Sequence, residues 1–217
     1  MSEVKVDKIS PRSGTTTTLG DASDVFQLPA SAEIDIASGA TLDVNGTIDL
    51  TGATKTGFPA SGLTEADWWR LSTGFNGDAN PIASNFERVD TMSYAQLGTG
   101  MSESSGIFTF PSTGYWWVIF NHYIYTGNNV GGYMNEAKIE QTNDNSSYSV
   151  IAQGDASLID DGNGYRQTSC TNAFIDVTST SLVKVRFSVD ASYASMSTVA
   201  ITDNTKTGFS FVRLGDT

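Results

Sequence analysis

The segment GYWWVIFNHYIYT, residues 114–126, constrains the fold of this chain more than any other stretch. The two-residue period of a strand places Tyr115, Trp117 and Ile119 on one face and Trp116, Val118, Phe120 and Ile124 on the other. A strand apolar on both faces must be covered on both. In a two-layer sandwich the interior covers one face and the other would meet water, so a second subunit is expected to cover it. TGFSFVRLGDT at 207–217 reads the same way, with Phe209 and Phe211 on one side and Val212 and Leu214 on the other. Tyr115, Trp117, Ile119, Phe209 and Phe211 are therefore the expected subunit interface of this half of the chain.

Around that segment, NFERVDT, GIFTFP, NEAKIEQT, SYSVIAQGDAS, YRQTSCTNAFIDV, SLVKVRFSVD and STVAIT are further runs of alternating character separated by turn residues. Charged residues make up only 17% of the chain, and 21 Gly stand against 5 Pro, a composition that suits extended β structure. Eight or nine strands in residues 84–217 predict an all-β sandwich of jelly-roll type.

The N-terminal section, residues 1–58, is different. Ile34 and Ile36, Leu42 and Val44, and Ile48 and Leu50 form apolar doublets, each followed by SG, NG or TG, and Val25, Phe26 and Leu28 form an earlier, less regular member. Strands of three residues cannot enclose a core alone and gain stability by stacking or by pairing with other chains. The doublets thus predict a β-helix-like stem in which identical chains share an apolar axis. A flexible linker is the alternative. Between them, residues 59–83 read as a connector with a short helix over LTEADWWRLS, Thr64 serving as N-cap with Asp67 three positions on.

Chemistry-bearing patterns are few. A net charge of −12 repels phosphate backbones and argues against nucleic acid. MSEVKVDKIS is polar, and no apolar run approaches the roughly 20 residues of a membrane span, so neither a leader nor membrane insertion is expected. Cys170 is the only cysteine and reads as a buried strand residue. His122 is the only histidine and reads as a hydrogen-bonded interior imidazole; no G-x-S-x-G elbow supports catalysis around it. Asp155, Asp160 and Asp161 lie in a turn region and read as solvated turn formers. Asp160, Asp161 and Asn163 are the best metal candidates, with oxygen ligands suited to Ca²⁺ but without EF-hand spacing. No other cofactor and no enzymatic activity are expected. Tyr123, Tyr125, Asn128, Asn129, Tyr133, Tyr148 and Tyr165 fall in or beside turn clusters, where Tyr and Asn suit adaptable recognition.

GIFTFPSTGYWWVIF, with Phe108, Phe110, Pro111, Gly114, Tyr115 and Phe120, resembles the head domains of the C1q and tumour-necrosis-factor superfamily, and Gly208, Phe209, Phe211 and Leu214 resemble that superfamily's last strand. ISPRSGTTTTLGDASDVFQLPASAEI and LTEADWWRLSTGFNGDANPIASNFERVD resemble segments of tailed-phage fibre proteins, particularly marine ones. The cysteines and collagen repeats of animal C1q proteins are missing, so the immune function does not carry over. The resemblances imply a homotrimer with a jelly-roll head on a trimeric stem, made in the host cytoplasm and carried on the virion. They imply attachment to other virion proteins through the N-terminal segment and to a host-surface glycan or protein through the head. The alternative is a capsid-decorating or cement fibre without receptor binding, and a polysaccharide-degrading enzyme comes third.

Overall fold

In the computed structural model, residues 34–45, 47–48, 62–91, 93–127, 133–158 and 164–217 are described. The chain divides into two units, Met1–Thr56 and Gly57–Thr217.

In the described part of the first unit no strand forms. A turn closed by the Ala40 N–H on the Ala37 carbonyl (2.9 Å) interrupts the chain, with Gly39 at φ 83°. Ile34, Ile36, Leu42, Val44 and Ile48 are all exposed. Among the described residues the expected rungs therefore do not form within one chain. This follows from their length, since two apolar side chains per rung bury too little to fix three residues of backbone. Leu50, Val25, Phe26 and Leu28 lie outside the described residues.

The second unit is a two-sheet sandwich, and no helix forms among its described residues. Its strands are β1 (Ala66–Leu71), β2 (Phe75–Asn76), β3 (Phe86–Arg88), β4 (Ser102–Ser104), β5 (Ile107–Thr109), β6 (Gly114–Thr126), β7 (Tyr133–Thr142), β8 (Ser149–Leu158), β9 (Tyr165–Val177), β10 (Lys184–Ala191), β11 (Ser197–Thr198) and β12 (Gly208–Gly215). The larger sheet runs β2-β11-β6-β12-β1-β3, with β9 on the other side of β6. The smaller runs β4-β5-β10-β7-β8, and every pairing is antiparallel.

β6 organises the larger sheet by pairing along its whole length with β9, from Gly114↔Val177 to Thr126↔Tyr165. Its inner face delivers Trp116, Val118 and Phe120 to a core shared with Phe108, Phe187, Phe209 and Phe211. Phe187 and Phe209 meet across the sandwich with ring centroids 4.5 Å apart, and Phe120 stacks on Phe209 at 4.9 Å. Each such ring contributes roughly 1.5–3 kcal/mol by its burial. Gly114 (φ 133°) lets the end of β12 close on the start of β6, because a Cβ there would stand 2.3 Å from the Gly215 carbonyl oxygen.

The described residues of the expected helical connector at 59–83 form no helix, because β1 and β2 belong to the larger sheet. The polar residues that imitate a helix cap are used at long range instead. Thr64 Oγ1 accepts from Arg213 (3.3 Å), and Glu65 accepts from the backbone N–H of Thr99 (2.8 Å) and Gly100 (3.2 Å). Asp67 accepts from Arg88 Nε (3.0 Å), Trp69 Nε1 (2.8 Å) and the Met101 N–H (2.7 Å). Asp67, Trp69 and Leu71 are buried at alternate positions, and β1 is paired on both edges by β12 and β3. An isolated helix of this length is marginal, so two ladders and an aromatic core outweigh its local preference.

Candidate interaction surface

The outer face of the larger sheet collects side chains that no part of the described chain covers. Tyr115, Trp117 and Ile119 stand on it from β6, and the register sets Trp117 beside Phe174 of β9 and Val212 of β12. Trp117 and Phe174 stack with centroids 5.9 Å apart and rings 14° from parallel. Phe174 is nevertheless 69% exposed, Tyr115 46% and Trp117 37%. Trp68 of β1 extends the aromatic area, edge-on to Tyr94 at 5.7 Å. Burial, and secondarily the Asp67 charge, pushes the Tyr94 phenol up to about 12. Trp68 and Phe174 are absent from the sequence-predicted interface. Trp68 is missed because a helix displaces the strand alternation, and Phe174 because its run is otherwise polar.

Phe209 and Phe211 do not belong to this surface. Both are fully buried inside the sandwich, and Val212 and Leu214 take the outward positions of β12. Alternation alone leaves open which face of a strand turns inward. The registers Phe209↔Phe120 and Phe211↔Val118 decide it, because both partners are core residues.

Farther along β6 the same outer face changes character. The strand rises about 3.4 Å per residue, so Tyr123 stands roughly 27 Å from Tyr115. The Lys206 ammonium lies 4.9 Å over the Tyr123 ring, and the Arg166 guanidinium lies 5.1 Å over the Tyr125 ring. Asn121, Thr168 and Ser197 share this half of the face, by register with Gly208, Tyr123 and Tyr125.

This arrangement of strands has a known counterpart. A tumour-necrosis-factor structure, Eiger from S. frugiperda, superposes with a TM-score of 0.51 at 11% identity, covering 71% of this chain and 95% of that one. Murine APRIL at pH 5.0 follows with a TM-score of 0.49 at 10% identity, covering 69% of this chain and 98% of that one. No protein-family profile and no curated protein sequence matches the chain. The sandwich has the tumour-necrosis-factor jelly-roll fold.

The remaining expected recognition residues are dispersed on this jelly roll. Tyr148 belongs to the smaller sheet's side, half-buried, with the Arg186 guanidinium 4.1 Å over its ring and its phenol pushed up chiefly by burial. Tyr165 is an interior residue, packed with Ile124, Ala156 and Met196 in a second core cluster. It lies at the first position of β9, where strand pairing draws it inward, so it does not share a surface with Tyr123 and Tyr125. Asn128, Asn129 and the calcium candidates Asp160, Asp161 and Asn163 lie outside the described residues, as does the Tyr133 side chain. Among the described residues no three His, Cys, Asp or Glu side chains converge as metal ligands would.

His122 is fully buried on the inner face of β6, with Nε2 2.8 Å from Thr198 Oγ1. Its Nδ1 has no hydrogen-bond partner among the described residues, and neither do the buried polar oxygens of Ser169, Asn135 and Thr126. Burial pushes the imidazole down to about 4, opposed in part by the Asn135 side chain. Cys170, expected in the interior, is exposed on the outer face opposite Asn121.

Proposed function

We propose that the chain is one protomer of a homotrimeric attachment fibre, carried on a phage-type virion, whose jelly-roll head grips the host surface. The aromatic outer face of the larger sheet carries this reading, because Phe174, Tyr115, Trp117 and Trp68 form one adjoining exposed aromatic patch, the kind of surface that marks an interaction site. Closed symmetry is the ordinary solution for such a face, and the superfamily resemblance selects three-fold symmetry. The exposed doublets Ile34/Ile36 and Leu42/Val44, with Ile48 and Leu50, form the stem when three copies supply one another's missing partners.

The phage assignment rests on the sequence resemblance of the N-terminal segments. The attachment role rests on a rigid β scaffold with an aromatic, polar region roughly 27 Å along β6 from the assembly face. Sedimentation of the full chain is expected to give a particle of three times 23.1 kDa, about 69 kDa, with a formal charge of 3 × (−12) = −36. A stable monomer at micromolar concentration overturns the reading. If the purified trimer binds susceptible cells and blocks infection, it attaches. If a folded trimer does neither, and electron microscopy places it on the capsid, it is a decoration fibre.

A further inference from the structure

The half of the outer face that holds Tyr123 and Tyr125 carries two cations side by side. In a chain of 12 cations and 24 acids, a cation without a carboxylate nearby is unexpected. Arg70 sits on Glu87 and Asp90, Arg88 on Asp67, Lys138 on Glu136 and Asp190, Arg186 on Glu140, and Arg213 on Asp216. Arg166, Lys206 and, on the smaller sheet, Lys184 make no ion pair among the described residues, and Arg166 and Lys206 stand over two tyrosines that are neighbours on one strand face. Tyr123 and Tyr125, two residues apart, are roughly 7 Å apart along β6. A ring beneath each cation holds it by cation–π attraction worth about 0.5–1 kcal/mol and leaves its N–H donors free for an anion.

The surroundings narrow the class of anion. Thr168 is exposed beside Tyr123, and Asn121 lies farther down the strand. Ser197, beside Tyr125, donates to Asn76 at 2.6 Å. A groove of about 380 Å³ lined by Phe75, Asn76, Ser197 and Val199 opens at this sheet edge, within the size range of ligand pockets. Hydroxyl and amide groups match the hydroxyls of a sugar. β6 is paired on both edges here, by β11 and β9, so a peptide cannot add a strand beside Tyr123 and Tyr125 themselves. A dense polyanion such as nucleic acid is strongly repelled by the net charge of −12, whereas a glycan with one acidic group on some of its rings is repelled far less.

We infer that this half of the face is a binding site for an anionic glycan, in which Arg166 and Lys206 hold a ring-borne carboxylate or sulfate while Thr168, Ser197 and Asn76 meet its hydroxyls. The inference rests on the attachment reading and names the ligand class for it. Each site is weak, and three sites on one trimer raise avidity by roughly 10² or more on a surface that repeats the sugar.

The test is calorimetric titration of the full-length protein with a tetrasaccharide of alternating uronate and neutral rings (hyaluronan type), a tetrasaccharide with one sulfate on alternate rings (carrageenan type), a neutral cellotetraose and a poly-glutamate peptide, each at low and moderate salt. One or both acidic sugars are expected to bind, more weakly as salt rises, and the two arms distinguish carboxylate from sulfate. The double variant Arg166→Gln, Lys206→Gln is expected to lose at least tenfold in affinity with its sedimentation unchanged. Binding of neither acidic sugar, equal binding of cellotetraose or poly-glutamate, or unchanged affinity in the double variant overturns the inference. Sedimentation of the same samples separates the two readings. A trimer that ignores acidic sugars removes this inference alone, and a monomer that binds them removes the trimeric fibre alone.

Discussion

The two outer faces of the sandwich solve the same problem in opposite ways. On the smaller sheet the outward positions of β7 and β10 form a saturated network. Lys138 reaches Glu136 at 2.7 Å and also Asp190, so its ammonium pKa is held above the ordinary lysine range, first by the hydrogen bond to Asp190. Arg186 reaches Glu140 at 2.6 Å, Ser188 donates to the same carboxylate, and Tyr148 shields the guanidinium. On the larger sheet the matching positions hold Tyr115, Trp117, Ile119 and Phe174 with no cover. A face whose polar groups satisfy one another is complete in a monomer. A face of stacked aromatics leaves apolar surface that a partner would cover, so the contrast makes this face the proposed assembly surface without reference to any relative.

The strongest way to break that contrast is Trp117→Arg, which sets three unpaired cations into the assembly face. We expect the trimer to weaken by more than about 100-fold in sedimentation velocity, from loss of aromatic burial and addition of desolvated charge. The matched change Gln153→Arg, at an exposed position of β8 on the smaller sheet, should leave the sedimentation profile as it is. Equal behaviour of the two variants would erase the distinction between the faces.

Acid acts behind both faces at once. His122 is neutral in the fold with a pKa near 4, below the value of about 6.5 it has when unfolded. Above about pH 6.5 both states are neutral and the group leaves stability independent of pH. As pH falls from 6.5 to 4 the unfolded chain takes up the proton first, and stability drops by about 3 kcal/mol per chain. Denaturation midpoints across that window should show this slope in the native protein and lose it in His122→Gln. A His122→Gln protein with the native slope would exclude the imidazole as its source.

Glu140→Ala is expected to cost about 2 kcal/mol in chemical denaturation with the oligomer intact, because it strands the Arg186 cation and the buried Ser188 hydroxyl. Dissociation of the trimer instead would mean that the smaller sheet also assembles. The smallest effect belongs to Tyr148→Ala, about 0.5–1 kcal/mol from the lost ring over Arg186, with cell binding unchanged. A loss of cell binding would return Tyr148 to the recognition surface.

The larger elements were legible because alternation over thirteen residues leaves little choice. GYWWVIFNHYIYT and YRQTSCTNAFIDV coincide with β6 and β9. What alternation does not carry is the side on which the core lies. The exposed face of β6 was identified because both its faces are apolar, whereas Phe209 and Phe211 were assigned outward because only register with Phe120 and Val118 reveals their direction. β1 was misread because Thr64, Glu65 and Asp67 look like a local cap and are partners of groups 21 to 149 residues away. The cation–tyrosine pairs were invisible for the same reason, since Lys206 and Tyr123 meet only after the sheet is assembled. Tyr123 and Tyr125 were singled out for recognition by composition, and the structure gives them a common face.

The pairing of β1 with β12 has a mechanical consequence. Ala66 and Val212 lie at the end of the sheet where β6 begins, and β1 runs from there toward the Tyr123 end between two ladders, to β12 and to β3. Tension applied at Glu65 against a grip at the Tyr123 end therefore pulls along the strand axis. It loads the hydrogen bonds of both ladders together in shear, where a pull across the strand would peel them one at a time. Bonds loaded together share the force, so β1 withstands a pull on its N-terminal end better than a strand peeled from its sheet would.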